Sequence, residues 1–123
     1  MIWLLVGAGG ALGSVARYGL NRLIQQQSPV TTFPLGIFLV NVLGSAVIGV
    51  LAGAVMSGRW SLSLEARTFL MVGVVGGFTT FSSFSLDTLM LVRDGHPWQA
   101  VWNVAGQVSL SLVAVWIGFK LGE

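Results

Sequence analysis

The chain has 123 residues, 54% of them hydrophobic and 8% charged, with six Lys and Arg against four Asp and Glu for a net charge of +2. A soluble domain carries about 25% charged residues, so this balance excludes a soluble enzyme and a disordered chain. The cations are too few and too scattered to neutralise the phosphates that a nucleic-acid-binding surface contacts. Cysteine is absent and histidine occurs once, which removes disulfides, thiolate chemistry and a side-chain zinc site.

Four stretches carry no charge: Met1–Ala16, Phe33–Gly58, Thr68–Leu86 and Gly95–Phe119. A helix crossing a bilayer needs about 20 mostly apolar residues. The expected fold is therefore an all-α membrane protein, one transmembrane domain over residues 1–123, with spans at about 2–23, 34–57, 68–92 and 97–119. Long continuous runs favour helices over barrel strands, which would alternate in polarity.

In chain order, no basic residue precedes Arg17, so a retained first span is expected over a cleaved leader. Its run Val6-Gly7-Ala8-Gly9-Gly10-Ala11-Leu12-Gly13 looks superficially like a dinucleotide fingerprint. Leu12 occupies the third glycine position and no strand precedes it, so the glycines are read as helix contacts. Gln25–Pro34, with three consecutive Gln and two prolines, forms the first loop. Span 2 carries Asn41, Ser45, Gly49, Gly53 and Ser57 at every fourth position, one stripe on a helix face. Small residues there permit close helix packing, as do the Gly9–Gly13 and Gly73–Gly77 pairs. Asn41 differs, because an amide in hydrocarbon must find partners; its two N–H donors suit an anion or a neighbouring helix.

After the polar Ser57–Ser63 loop comes span 3, centred on Gly76-Gly77-Phe78-Thr79-Thr80-Phe81-Ser82-Ser83-Phe84-Ser85. Two glycines and a hydroxyl run are poor helix formers, so the third helix is expected to break near the bilayer midplane. Such a break persists only where protein or a wet cavity satisfies the backbone. Carbonyls freed there can hold a cation, and a new helix N-terminus can face an anion. Phe78, Phe81 and Phe84 recur every third residue; they are either core packing or rings offering positive edges to a small anion. Arg93-Asp94-Gly95-His96-Pro97 forms the next turn. Span 4 repeats polar residues at Asn103, Gln107 and Ser111, which either line a wet track or knit helices together. Trp3, Trp60, Trp98 and Trp116 fall near span ends, where indoles favour the headgroup layer.

An even number of spans puts both termini beside the second loop. That side holds Arg59, Arg67 and Lys120; the other holds Arg17, Arg22 and Arg93. The balance gives no orientation bias. It arises either by chance in a small tally or because the chain inserts both ways, which would let two opposed copies close as a twofold pair.

The span 3 motif, the run Gly7–Tyr18 and Pro34-Leu35-Gly36-Ile37-Phe38-Leu39-Val40-Asn41 together resemble the Fluc/CrcB family of fluoride channels over nearly the whole chain. The resemblance implies a dual-topology antiparallel homodimer in the plasma (inner) membrane, with two pores for passive fluoride efflux and a central sodium ion. It implies that Phe81 and Phe84 line each pore, with rings from both subunits, and that Asn41 donates to fluoride. The hydroxyls of Thr80 and Ser82 are assigned to the same path, and Ser111 to a polar track. Gly76 and Thr79 would hold sodium through backbone carbonyls, and Arg17 would charge a vestibule. Three features depart from the family pattern: Ile37 where threonine is usual, Asn103 and Gln107 where tyrosine and serine are common, and Asp87 in place of glutamate.

The competing reading is a small proton-coupled exporter. Small multidrug exporters share the length, the four spans and the antiparallel pairing, but use an acid in span 1, and Met1–Ala16 has none. Asp87 is the only acid deep in a span, and an intramembrane acid is by default a functional candidate, so fluoride–proton exchange is the form that reading takes. A holin-like pore former would explain the glycine pairs but neither Asn41 nor a mid-span break.

Overall fold

Out of water, every backbone N–H and C=O must be satisfied within its own segment, and long apolar runs do so as helices. A computed structural model, describing residues 1–123, contains α1 (Ile2–Gln27), α2 (Leu35–Met56), α3 (residues 64–78), α4 (Phe81–Arg93) and α5 (Pro97–Gly122). Within α3 the stretch Thr68–Val75 is wound as a π-helix, a form that concentrates at functional sites.

Local chemistry sets the ends. α1 continues past residue 23 through the glutamines and stops at Ser28, whose extended backbone (φ −70°, ψ 131°) is the conformation proline imposes on the residue before it. α3 starts at Leu64, ahead of the expected 68, because the Ser63 hydroxyl caps it by accepting from Ala66 N at 3.1 Å. Gly58 and Gly95 take positive φ (82° and 85°) where α2 and α4 end, a conformation that favours glycine. Pro97 then opens α5 at a position that has no helical N–H to lose.

Three stretches, Leu35–Met56, Leu64–Arg93 and Pro97–Gly122, are long and apolar enough to cross a membrane. α1 has comparable length but is diluted by its glycines, Arg17 and Asn21. Arg59 Nη1 donates to the carbonyls of Leu121 (3.3 Å) and Gly122 (3.2 Å), tying the second loop to the C-terminus. At the other end, the Thr32 hydroxyl bonds Gln99 Oε1 at 2.9 Å, joining the first loop to the start of α5. Trp3, Leu4, Trp98, Trp102 and Leu112 project outward, and only 18 of 123 residues are buried in the protomer. So much exposed apolar surface belongs in lipid or against another chain.

Glycines set the two closest crossings. A Cβ at Gly73 would stand 2.9 Å from Gly9 Cα, and one at Gly77 would stand 2.9 Å from Gly10 Cα, so α1 and α3 touch backbone to backbone. Gly49 and Gly53 of α2 meet the Val115 and Phe119 backbone, while Gly118 and Gly122 of α5 meet Ala46 and Val50 in return. A methyl at Gly118 would run into the Ala46 carbonyl and lie 3.1 Å from Val50 N. Backbone cannot step aside as a side chain can, so Gly118→Ala is expected to cost about 3 kcal/mol, the upper end for overpacking. Unfolding in mixed detergent measures this, and stability equal to the parent would contradict the crossing.

Candidate functional site

Helix α3 ends at Phe78 and α4 begins at Phe81; between them Thr79 (φ −86°, ψ 158°) and Thr80 (φ −153°, ψ 122°) are extended. This junction releases backbone groups that a continuous helix would pair. The N–H of Thr80, whose helical partner would be the Gly76 carbonyl, donates instead to Asn41 Oδ1 at 2.8 Å. The N–H of Ser83, which would reach the Thr79 carbonyl, donates to Thr80 Oγ1 at 3.1 Å, so Thr80 is the N-cap of α4. The Thr79 carbonyl takes Arg17 Nη1 at 3.4 Å. Arg17 has no acid partner, since the only ion pair in the chain is Lys120–Glu123. Its charge sits at the negative end of α3, where a cation is favoured.

Beside the junction lies a cleft of about 300 Å³ between α2, α4 and α5. It brings together Asn41, Phe81, Phe84, Gln107 and Ser111 with Gly76, Thr79 and Thr80, and no charged residue lines it. The Phe81 and Phe84 rings are tilted by 52° with centroids 5.3 Å apart. Phe84 is 8% exposed and held in the core, whereas Phe81 is 77% exposed. The Ser111 hydroxyl is buried and without a hydrogen-bond partner, leaving its O–H available at the cleft wall.

Other expected site residues sit differently. Ser82 is outside the cleft lining, with its hydroxyl on Thr80 Oγ1 at 3.2 Å, so both groups serve the start of α4. Arg17 reaches the junction itself. Both N–H donors of Asn41 are engaged within the protomer: Nδ2 gives one to the Thr80 carbonyl at 3.0 Å and the other to Gln107 Oε1. Because Thr80 N can meet only an oxygen, the orientation of the Asn41 amide is fixed. Asn103 is fully buried and knits α4 to α5 through Thr88 Oγ1 at 3.0 Å. Thr88 carries no sequence signal that would mark it for this role. Asp87 lines a separate cavity of about 400 Å³ near the first loop, with Ile37, Asn21 and His96, and its Oδ2 is buried without a partner.

No group of acidic, histidine or cysteine side chains could hold a metal ion. The carbonyl oxygens at the junction, that of Gly76 and that of Thr79, which accepts from Arg17, are hard donors of the kind that coordinate alkali cations at half-helix ends. One chain offers too few for a complete shell.

Such a bundle, with long apolar helices around an uncharged polar cleft at an interrupted helix, defines a small membrane protein built to pass an ion. A family model described as "CrcB-like protein, Camphor Resistance (CrcB)" matches residues 4–119. The chain belongs to this family. Among curated relatives it is 50% identical over 118 residues to the fluoride-specific ion channel FluC of Opitutus terrae, covering 95% of this chain and 89% of the relative. It is 48% identical over 119 residues to the protein of that name from Paramagnetospirillum magneticum (96% and 92% covered). One from Thermus thermophilus is 47% identical over 120 residues (98% and 94% covered).

Proposed function

We propose that this protein is a fluoride-selective channel, not an enzyme, and that it works as an antiparallel pair of identical subunits inserted in both orientations in the plasma (inner) membrane, letting fluoride leave the cytoplasm passively. The observation that carries the reading is the uncharged cleft gathering Asn41, Phe81, Phe84 and Ser111 beside the junction, in a chain whose relatives are named fluoride-specific ion channels. With Arg17 placed at the junction, the cations at the two ends divide as Arg22 and Arg93 against Arg59, Arg67 and Lys120, a near balance that supports dual insertion. The exposed Phe81 supports a pore wall completed by the second subunit.

Fluoride is small and tightly hydrated, so a pore must replace its water with donors while binding weakly enough to release it. The free Ser111 O–H, the Asn41 amide and the N-terminal N–H groups of α4 supply donors and positive potential. Asn41 would release its bond to the Thr80 carbonyl to meet the ion, keeping Thr80 N–H and Gln107 as partners. Phe81 and Phe84 add positive ring edges without a fixed charge. Arg17 attracts anions toward the junction from its margin. At the midplane, the Gly76 and Thr79 carbonyls from two chains would hold a structural sodium ion at the subunit interface, which offsets their mutual repulsion.

Fluoride–proton exchange has one residue in its favour, Asp87, yet that carboxylate opens on the other cavity. Fluoride efflux from proteoliposomes is therefore expected to be unchanged by an imposed proton gradient at fixed membrane potential. Uphill fluoride movement driven by that gradient would establish exchange in place of a channel.

A further inference from the structure

The hydrogen bonds around Asn41 form a directed chain. Thr80 N–H donates to Asn41 Oδ1 at 2.8 Å; Asn41 Nδ2 donates to Gln107 Oε1; Gln107 Nε2 donates to Asn103 Oδ1 at 3.0 Å. Asn103 Nδ2 then donates to Thr88 Oγ1 at 3.0 Å, and the Thr88 hydroxyl donates to the Phe84 carbonyl at 2.8 Å. Each link settles the next, because an amide oxygen that accepts leaves its nitrogen facing the following acceptor. The chain begins at the first residue of the α4 turn and returns to α4 at Phe84, so it brackets both phenylalanines. It runs through three primary amides, two of them nearly sealed from solvent: Asn103 is 0% and Gln107 4% exposed. In such surroundings linked hydrogen bonds strengthen one another.

We propose that Gln107 and Asn103 are positioning residues: through Asn41 and Thr88 they hold the extended Thr79–Thr80 junction and fix Phe81 and Phe84 at the cleft, without themselves binding the permeating ion. The site they serve is that of the channel reading, on which this inference rests. Severing the chain at Gln107 removes one of the three hydrogen bonds that hold the Asn41 amide, so the amide is left to rock on its two bonds to Thr80 and the junction loosens. Severing it at Asn103, which lies outside the cleft lining, has the same consequence by way of Gln107, whose nitrogen loses its acceptor.

The test uses Gln107→Met and Asn103→Leu in the full-length protein, with two readouts: amide hydrogen exchange across Thr79–Ser83 in detergent, and fluoride efflux from liposomes. Both variants are expected to speed exchange at Thr80 about tenfold, the worth of one net hydrogen bond. Both should lower efflux while the elution volume of the particle is unchanged. Faster exchange and lower flux in both variants supports the proposal. Unaltered exchange overturns it, whatever the flux. A flux loss in Gln107→Met with none in Asn103→Leu also overturns it, because Gln107 would then touch the ion. Should neither variant fold, the parent decides: Thr80 N–H, though outside any helix, must exchange as slowly as the N–H of Phe84, and fast exchange there refutes the chain. Exchange is read without fluoride, so a failed channel assay leaves this outcome intact.

Discussion

Phe84→Ile is expected to cut fluoride efflux from liposomes about tenfold, and Phe81→Ile combined with Phe84→Ile about a hundredfold, if each ring contributes up to ~1.5 kcal/mol through its edge. Isoleucine keeps the site apolar and nearly as full, so the hydrophobic contribution is conserved while the ring quadrupole disappears. The two positions separate conduction from stability. Phe84 is buried and its replacement also loosens the core, costing about 1 kcal/mol or more in stability. Phe81 is exposed in the protomer, so Phe81→Ile should lower flux with little change in the folding of a single chain. Parent-level flux in both single variants would remove the rings from the ion path and leave them as packing.

Asn41→Asp is expected to abolish measurable flux. The parent amide presents one oxygen to Thr80 N and two N–H bonds to the Thr80 carbonyl and Gln107 Oε1. A carboxylate keeps the first contact and turns the other two into facing acceptors. Each acceptor left unpaired costs about 1–3 kcal/mol. The new charge would also repel an approaching anion by up to ~4 kcal/mol at contact distance in a partly screened site. Flux and stability should therefore fall together, whereas Asn41→Ala, which admits water and adds no charge, should lose less of both. Full conduction by a destabilised Asn41→Asp protein would assign Asn41 to holding helices alone.

The membrane class was legible because it rests on length and apolarity, which no tertiary contact can reverse. Family membership was legible because the glycine run, Asn41 and the phenylalanine–hydroxyl motif stand in fixed order along the chain. The spacing of Asn103, Gln107 and Ser111 marked a shared face without saying what it meets. In the structure that face divides: Asn103 bonds across to Thr88 and Gln107 accepts from Asn41 of α2, while Ser111 keeps its hydroxyl free. The division depends on where α5 crosses α2, which the Gly118–Gly122 pair sets. That pair has the same Gly-x-x-x-Gly spacing as the earlier ones and was readable on the same grounds. Ser63 likewise carries an ordinary N-cap signal for the start of α3. The π-helical winding of Thr68–Val75 and the role of Thr88 have no local signature, because both depend on neighbouring helices.

On the proposed mechanism, the ring edges and few donors of an uncharged cleft select the smallest halide. Anion efflux from liposomes holding the purified protein, with fluoride and chloride measured side by side at the same membrane potential, reads this selection. Rapid fluoride loss with chloride retained is the predicted result. Equal loss of both anions, or none of fluoride, would contradict it.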